Sequence, residues 1–384
     1  MFTALNEKGE QVDASFGSKE RVYRCPACGE ECHVKGGTEK VRQHFAHVRH
    51  TSCTGSRESE AHQKAKQLLA SWLSSQGLRP VIEKRIGEKQ RADVWFAWKG
   101  MSVVFEVQFS ALPAGELARR SADYRRKGHV VIWFTAPAEK RVTHERVPSW
   151  RAEAFHFFPF LHQWRLLIEK RELQLVYAPV QLSNSSMLTA STNYPMDQST
   201  VDLLFLKTRP RLPNGYFQRV HREYARLLQQ KRHAAGTVGP PLPARDRFIE
   251  CLHRRGLRKQ HFPAVAHLPL VDNIVTGNPA EWLQTTVLDY MDAHRIIRIE
   301  SLLRYIKKQG TVIQRVQHHE DNQIRQFLFS YLDMMEMFGG VVRRYPAVYQ
   351  VKQTVTWKKT HERLLLDDEH VQETVKKYFE SKNI

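Results

Sequence analysis

No run of about eighteen apolar residues occurs in this chain, so the sequence offers no membrane-spanning helix. The opening stretch MFTALNEKGEQVDAS also lacks the apolar core of a secretion signal. Both absences lead to the expectation of a cytoplasmic protein with no membrane span. Cysteine is scarce: there are 5 in 384 residues, and Cys25, Cys28, Cys32 and Cys53 all fall in the N-terminal segment, interleaved with histidines. In a reducing cytosol, that clustering reads as metal binding and not as a disulfide framework. Acidic residues are in deficit, 40 against 59 Lys and Arg, for a formal net charge of +19. The excess favours a polyanionic partner, because neutralising phosphates releases condensed counterions; the plainer alternative is a generally basic surface. Internal repeats and long low-complexity tracts are missing too. With 41% hydrophobic and 26% charged residues, the composition reads as soluble and globular, long enough for two or three domains.

Residues 1–57 are polar and rich in Cys and His. A helix is expected from Ser59, an N-cap candidate, because Ala61, Ala65, Leu68, Leu69, Trp72 and Leu73 form one apolar face and Gly77 can end it. Strand-like runs follow at 81–86, 91–98 and 102–109, the last two joined at Lys99-Gly100 as a hairpin. A second helix is expected over Ala114–Lys127, and VVIWFT (130–135) reads as a buried strand. Trp164–Glu169 and Leu173–Tyr177 read as another hairpin, and the Ser/Thr/Asn-rich residues 181–200 as a linker. The remainder, 201–384, reads as a mainly helical, basic domain. Within it Arg219–Arg232 is a basic helix with Leu227 and Leu228 as its short apolar side. Phe327–Phe338, then Gly339-Gly340 and the alternating run Val341–Val351, fit a helix followed by a β-hairpin, either a winged-helix-like DNA reader or an ordinary core.

Two groups of residues carry chemistry. The first is Cys25-Pro-Ala-Cys28 with His44-Phe-Ala-His47 and Cys53. A Cys-x-x-Cys turn places two thiolates on one ion, and a downstream pair closes a tetrahedral zinc site, letting a segment too small for a core fold on metal. His44, His47, His50 and Cys53 are all within reach; His47 and Cys53 are favoured, with His44 the alternative and Cys32 a bystander. Enough ligands exist for a structural site with no open position.

The second group is acidic. Asp93 lies on one expected strand and Glu106-Val107-Gln108 on the next, so Glu106 and Gln108 share a face opposite Phe105, Val107 and Phe109. A polar pair on so apolar a strand is costly to bury unless it binds something. If the strands pair, Asp93 approaches Glu106, and a hard cation such as Mg²⁺ or Mn²⁺ between them would activate a water against a phosphodiester. The plainer alternative is a structural salt bridge to Arg91 or Lys84. His62 and Lys66, spaced i, i+4 beside the apolar stripe, point toward the sheet edge, though His62 can instead bond Glu58 on the helix surface. Arg120 and Tyr124 repeat that spacing on the second helix, either binding substrate phosphate or forming a solvated face.

Helix, three strands with the carboxylates on the second and third, helix, strand: this order resembles the core of the PD-(D/E)XK nuclease fold, an α/β architecture. Within that superfamily the chain is similar to the CoiA competence family, on CPACG (25–29), HFAH (44–47) with Cys53, Glu58-Ser59 with His62 and Lys66, Ala92-Asp93-Val94, Glu106-Val107-Gln108, and Arg119-Arg120-Ser121 with Tyr124. The likeness covers about residues 20–136. It implies a zinc-finger-like segment at 1–57 and a nuclease-like domain at 58–180; composition and periodicity, not the resemblance, give the linker at 181–200 and the mainly helical domain at 201–384. Three departures stand out. Ala92 replaces the superfamily Pro, Ala61 stands where the family has Glu (Glu60 is one residue earlier), and Gln108 replaces the superfamily lysine. A neutral amide orients water but supplies no positive charge, which Lys66 or Lys84 can provide. The Glu-x-Gln form also occurs in the CoiA family and some restriction enzymes. The resemblance implies a role in uptake and recombination of incoming DNA, single-stranded or structured, with the RecA recombinase and other competence proteins as partners. Either a metal-dependent deoxyribonuclease or a non-cleaving DNA-loading module fits; a zinc-containing RNA-binding protein fits the charge but leaves the carboxylates unexplained.

Overall fold

The computed structural model describes the chain except residues 1–2, 27, 39–42, 49–59, 88–89, 114, 138–141, 147–148, 157–158, 184–185, 234–246, 274–279, 310–319, 358–359 and 383–384. It divides into two compact units. One comprises Met1–Phe109 with His129–Phe134 and Leu166–Glu172, the other Ser110–Gly128, Thr135–Arg165 and Leu173–Ile384.

The first unit begins with five short strands, β1 (Thr3–Leu5), β2 (Gln11–Asp13), β3 (Tyr23–Arg24), β4 (Glu31–Lys35) and β5 (His44–His47), in the order β2-β1-β3-β4-β5. Alternation along β4 turns Cys32 and Val34 inward, where they meet Ala4, Ala14, Tyr23, Cys25 and Phe45. The Tyr23 and Phe45 rings pack with centroids 4.7 Å apart. This corrects the expectation of a segment too small for a core: short strands assemble one from residues far apart in sequence. Helix α1 (Glu60–Ser74) buries Ala65, Leu69, Ala70, Trp72 and Leu73 as its spacing requires, but Ala61 is exposed and Lys66 takes a buried place. Strands β6 (Val81–Arg85), β7 (Arg91–Trp98) and β8 (Met101–Gln108) pair antiparallel. The β7–β8 turn puts Lys99 at φ 47° and Gly100 at φ 76°, the two left-handed residues that a two-residue hairpin matching strand twist requires.

Helix α2 (Glu116–Arg126) belongs to the second unit, and β9 (His129–Thr135), beside β8 in strand order, to the first. The element order helix, three strands, helix, strand is therefore observed. The second unit continues with β10 (Val142–Arg146), α3 (Ser149–Ala152), β11 (His162–Leu167), β12 (Glu172–Ser183) and β13 (Ser186–Pro195), ordered β10-β13-β12-β11. The expected linker at 181–200 is thus largely strand. Met187, Leu188 and Ala190 are buried together with Thr189 and Ser191, small hydroxyl residues that fit a pleated surface as readily as a loop.

Helices follow: α4 (Tyr216–His233), α5 (Arg247–Arg254) and α6 (Ala280–Ala293), then β14 (Ile296–Arg298), α7 (Ile299–Lys308), α8 (Glu320–Met337), β15 (Val341–Tyr345), β16 (Val348–Val351) and α9 (His361–Lys382). The apolar side of α4 is broader than Leu227 and Leu228. Tyr216, Phe217, Val220, Tyr224 and Leu228 are all buried. Arg232 is buried with them, its Nε and Nη2 donating to the two oxygens of Asp368 at 2.7 Å each and its Nη1 donating to the carbonyls of Phe262 (2.8 Å) and Gln260. Among the described residues no helix is long and apolar enough to cross a membrane.

A buried guanidinium stripped of its carboxylate is severely destabilising, so Asp368→Asn is expected to lower the unfolding free energy by about 3–5 kcal/mol. Replacing both partners with apolar residues of similar volume should restore much of it. Urea melts of the two variants check this.

Candidate metal centre and carboxylate cluster

The Cys25–Cys28 turn is built by its backbone. Gly29, at φ 75°, donates its N–H to the Cys25 carbonyl at 2.8 Å, and the Cys25 N–H donates to the Glu30 carbonyl at 2.8 Å. The turn folds the two thiols toward β5, where Cys28 Sγ lies 3.3 Å from His47 Nε2. Ligand atoms of Cys25, Cys28 and His47 all fall within 4.8 Å of one another, and among the described residues this is the one such cluster. Donors on adjacent vertices of a tetrahedral zinc site lie roughly 3.5–3.8 Å apart, so one ion fits with little adjustment. The cluster takes His47 and not His44. Cys53 and His50 lie outside the described residues. Cys32 is buried in the small core, its thiol 3.5 Å from the Glu30 carbonyl, in keeping with a bystander.

The acidic group is organised by α1 and three strands. The register Val94↔Phe105 brings Asp93 alongside Glu106, and Asp93 Oδ2 accepts the Val107 N–H at 2.8 Å. His62 Nε2 on α1 lies 3.1 Å from the same oxygen. Burial pushes the Asp93 carboxyl up, but the bond to His62, the charges of His62 and Lys66 and the Val107 N–H outweigh it and hold the group below the ordinary aspartate value. Asp93 is therefore an anion at neutral pH. Glu106 is 1% exposed and Gln108 8%, so both polar side chains are buried, as β8 is on both faces from Val103 to Gln108.

Glu83 was not anticipated. The β6–β7 register runs through Ile82↔Val94 and resumes at Lys84↔Ala92, skipping Glu83, whose φ is 60°. Its carboxylate accepts from Lys66 Nζ and, at 2.6 Å, pairs with Arg91 Nε. Arg91 therefore serves Glu83, while the ammonium of Lys84 lies over the Trp95 ring. A left-handed non-glycine residue inside a strand has no composition signal; the only hint was a carboxylate beside Lys84 in a short edge strand. Glu60 pairs with Lys64 at 3.2 Å on the exposed side of α1. The alternative partner for His62, Glu58, lies outside the described residues.

Arg120 and Tyr124 are on α2 in the second unit. Arg120 is half-buried, but Tyr124 is fully buried, so its ring cannot lie on the solvent-facing phosphate surface that the i, i+4 spacing allowed. The helix surface is instead laced by Arg119 with Glu116 and Asp123.

These elements make a mixed α/β chain with an N-terminal Cys/His cluster that could hold a metal ion. The family described as "Competence protein CoiA, nuclease-like domain" matches residues 58–209, and "Competence protein CoiA, N-terminal domain" matches residues 7–56. Together they span more than half of the sequence, and the chain belongs to the CoiA family. It is 28% identical over 214 residues to the Competence protein CoiA of Bacillus subtilis (strain 168), a match covering 53% of this chain and 57% of that relative. No solved structure matches the chain.

Metal analysis of the purified chain is expected to find one metal per chain at this cluster, zinc by its donor set. Cys28→Ser, which removes an exposed ligand, should lose it. A metal-free chain whose first 47 residues are still folded by amide exchange would refute the site.

Proposed function

We propose that this chain acts on DNA in competence, during uptake or recombination of incoming DNA, and that its nuclease-like domain is a metal-dependent deoxyribonuclease of PD-(D/E)XK type. One observation carries the reading: Asp93 is held as an anion against the strand of buried Glu106 and Gln108, with the Lys66 ammonium beside it. All-oxygen donors of this kind suit Mg²⁺ or Mn²⁺, with Asp93 and Glu106 as ligands. When bound, such a cation lowers the pKa of a coordinated water and neutralises charge developing on a phosphodiester. The chain's own residues prepare the rest. Lys66 supplies the positive charge that Gln108 cannot, Gln108 offers an amide to orient water, and His62 holds the Asp93 carboxylate from α1. Zinc at Cys25, Cys28 and His47, with Cys53 as the fourth ligand, is structural in this reading. Work in the cytoplasm beside the RecA recombinase and other competence proteins accords with it.

A second reading has its own support. Asp93 and Glu83 are already neutralised by His62, Lys66 and Arg91, so the fold does not depend on a cation there. A non-cleaving module that binds single-stranded DNA and assists the recombinase needs no more than that.

Cleavage of labelled single-stranded, nicked and branched DNA with Mg²⁺ or Mn²⁺ separates the two. On the enzyme reading Asp93→Asn and Glu106→Gln reduce cutting to background while binding is unchanged or slightly tighter, since each removes negative charge near phosphate. Gln108→Ala, which loses only an orienting group, should cost about 10- to 100-fold. A wild-type chain that binds DNA and never cuts leaves the loading module.

A further inference from the structure

From α6 onward the second unit runs helix, β14, α7, α8, β15, β16, and β16 lies between β14 and β15 in the sheet. This is a winged-helix arrangement, in which the helix at the position of α8 ordinarily enters a DNA groove and the hairpin flanks it. Here α8 is unsuited to that role. It buries Gln323, Ile324, Phe327, Leu328, Tyr331 and Leu332, and its more accessible positions include Asp321, Asp333 and Glu336. Such a surface repels phosphate.

The sheet offers the opposite. Residues directly across from one another in an antiparallel pair share a face. Ile297 pairs with Tyr349 and Val341 with Val351, and all four are buried. The other face carries Ile296, Arg298, Val342, Arg344, Val348 and Gln350, none of them fully buried and none acidic. Arg344 donates from Nε and Nη2 to Gln350 Oε1 at 2.9 and 2.7 Å, which fixes its guanidinium on that face. Arg298 is exposed and has no carboxylate partner among the described residues. Lys352 is exposed just past β16, and Tyr345, 71% exposed, stands at the hairpin tip. Arg343, by contrast, is engaged by Asp333 and the Tyr349 hydroxyl. Like charges gathered on an open face repel one another until a polyanion neutralises them.

We infer that this sheet face binds the phosphodiester backbone of DNA through Arg298 and Arg344, with the hairpin and not α8 as the contact element. The inference rests on the reading that the chain acts on DNA, but not on the carboxylate cluster.

The test is equilibrium binding of the full chain to labelled duplex and single-stranded DNA across a salt series. Arg298→Ala/Arg344→Ala should weaken binding uniformly across sequences and lower the slope of log affinity against log salt by about 2, close to one per lost phosphate contact. Arg298→Lys/Arg344→Lys keeps the charges and should keep most of the slope, which guards against a folding defect in the alanine pair. Unchanged affinity and slope on both DNA forms would overturn the inference. So would equal loss in the lysine pair, or a loss seen only with anionic phospholipid vesicles. A wild type that binds with the arginine-dependent slope but cuts nothing defeats the nuclease and leaves this face standing; Asp93-dependent cutting with an arginine-independent slope does the reverse.

Discussion

A buried ammonium must have a counter-charge, and the candidate site is organised around that demand at Lys66. Its side chain is 4% exposed. An unpaired ion in such a place costs several kcal/mol, whereas a left-handed non-glycine residue costs about 1–3 kcal/mol. The cost of the unpaired ion is the greater and decides the backbone: Glu83 is twisted to φ 60° so that its carboxylate meets both Lys66 and Arg91. Glu83 stands across from Asp93, where the β6–β7 pairing skips one position without a change of register, and the Asp93 carboxylate accepts the Val107 N–H and lies 3.1 Å from His62 Nε2. One buried lysine thus sets the electrostatics of three strands.

The N-terminal segment solves a different problem. Among the described residues seven buried side chains make a small core shared by strands of two to five residues, so each strand contributes little burial of its own. Cys25 belongs to both the core and the Cys/His cluster, so a bound ion would tie the Cys25–Cys28 turn to β5 through His47. Cys32 shows why spacing alone misleads. It is a cysteine among cysteines, yet it packs as a small hydrophobe.

Local signals were legible and long-range ones were not. The apolar stripe of α1, the Lys99-Gly100 turn and the strand alternation that sets Glu106 and Gln108 on one face each depend on neighbours within a few residues, and each could be read directly. The Cys-x-x-Cys turn and His47 were legible because metal ligands come in recurring spacings. Glu83 was not, since its backbone is fixed by a partner on another element. Tyr124 is buried where the i, i+4 spacing with Arg120 allowed a surface position, because that spacing gives a shared helix side without saying which way the side faces. Residues 181–200 failed for a related reason: a run rich in Ser, Thr and Asn reads locally as a loop, and pairing of β13 with β10 and β12 makes it strand.

The net charge of +19 needs the same care. Summed over a sequence it describes a potential, but much of the basic side-chain inventory never reaches solvent freely. Arg232 is held by Asp368, Lys66 and Arg91 by Glu83, Arg255 by Asp289 and the Trp357 ring, and Lys231 by Glu281 beside buried His267. The basic run 219–232 is in large part a core helix, with Tyr216, Phe217, Val220, Tyr224, Leu228 and Arg232 of α4 all buried. What a polyanion can meet is the fraction left after internal pairing, and it is not evenly spread. The sheet face of Arg298 and Arg344 has no acidic position, whereas α2 and α8 intersperse their arginines with Asp and Glu. Charge excess therefore points to a partner class, and only the pairing pattern points to a surface.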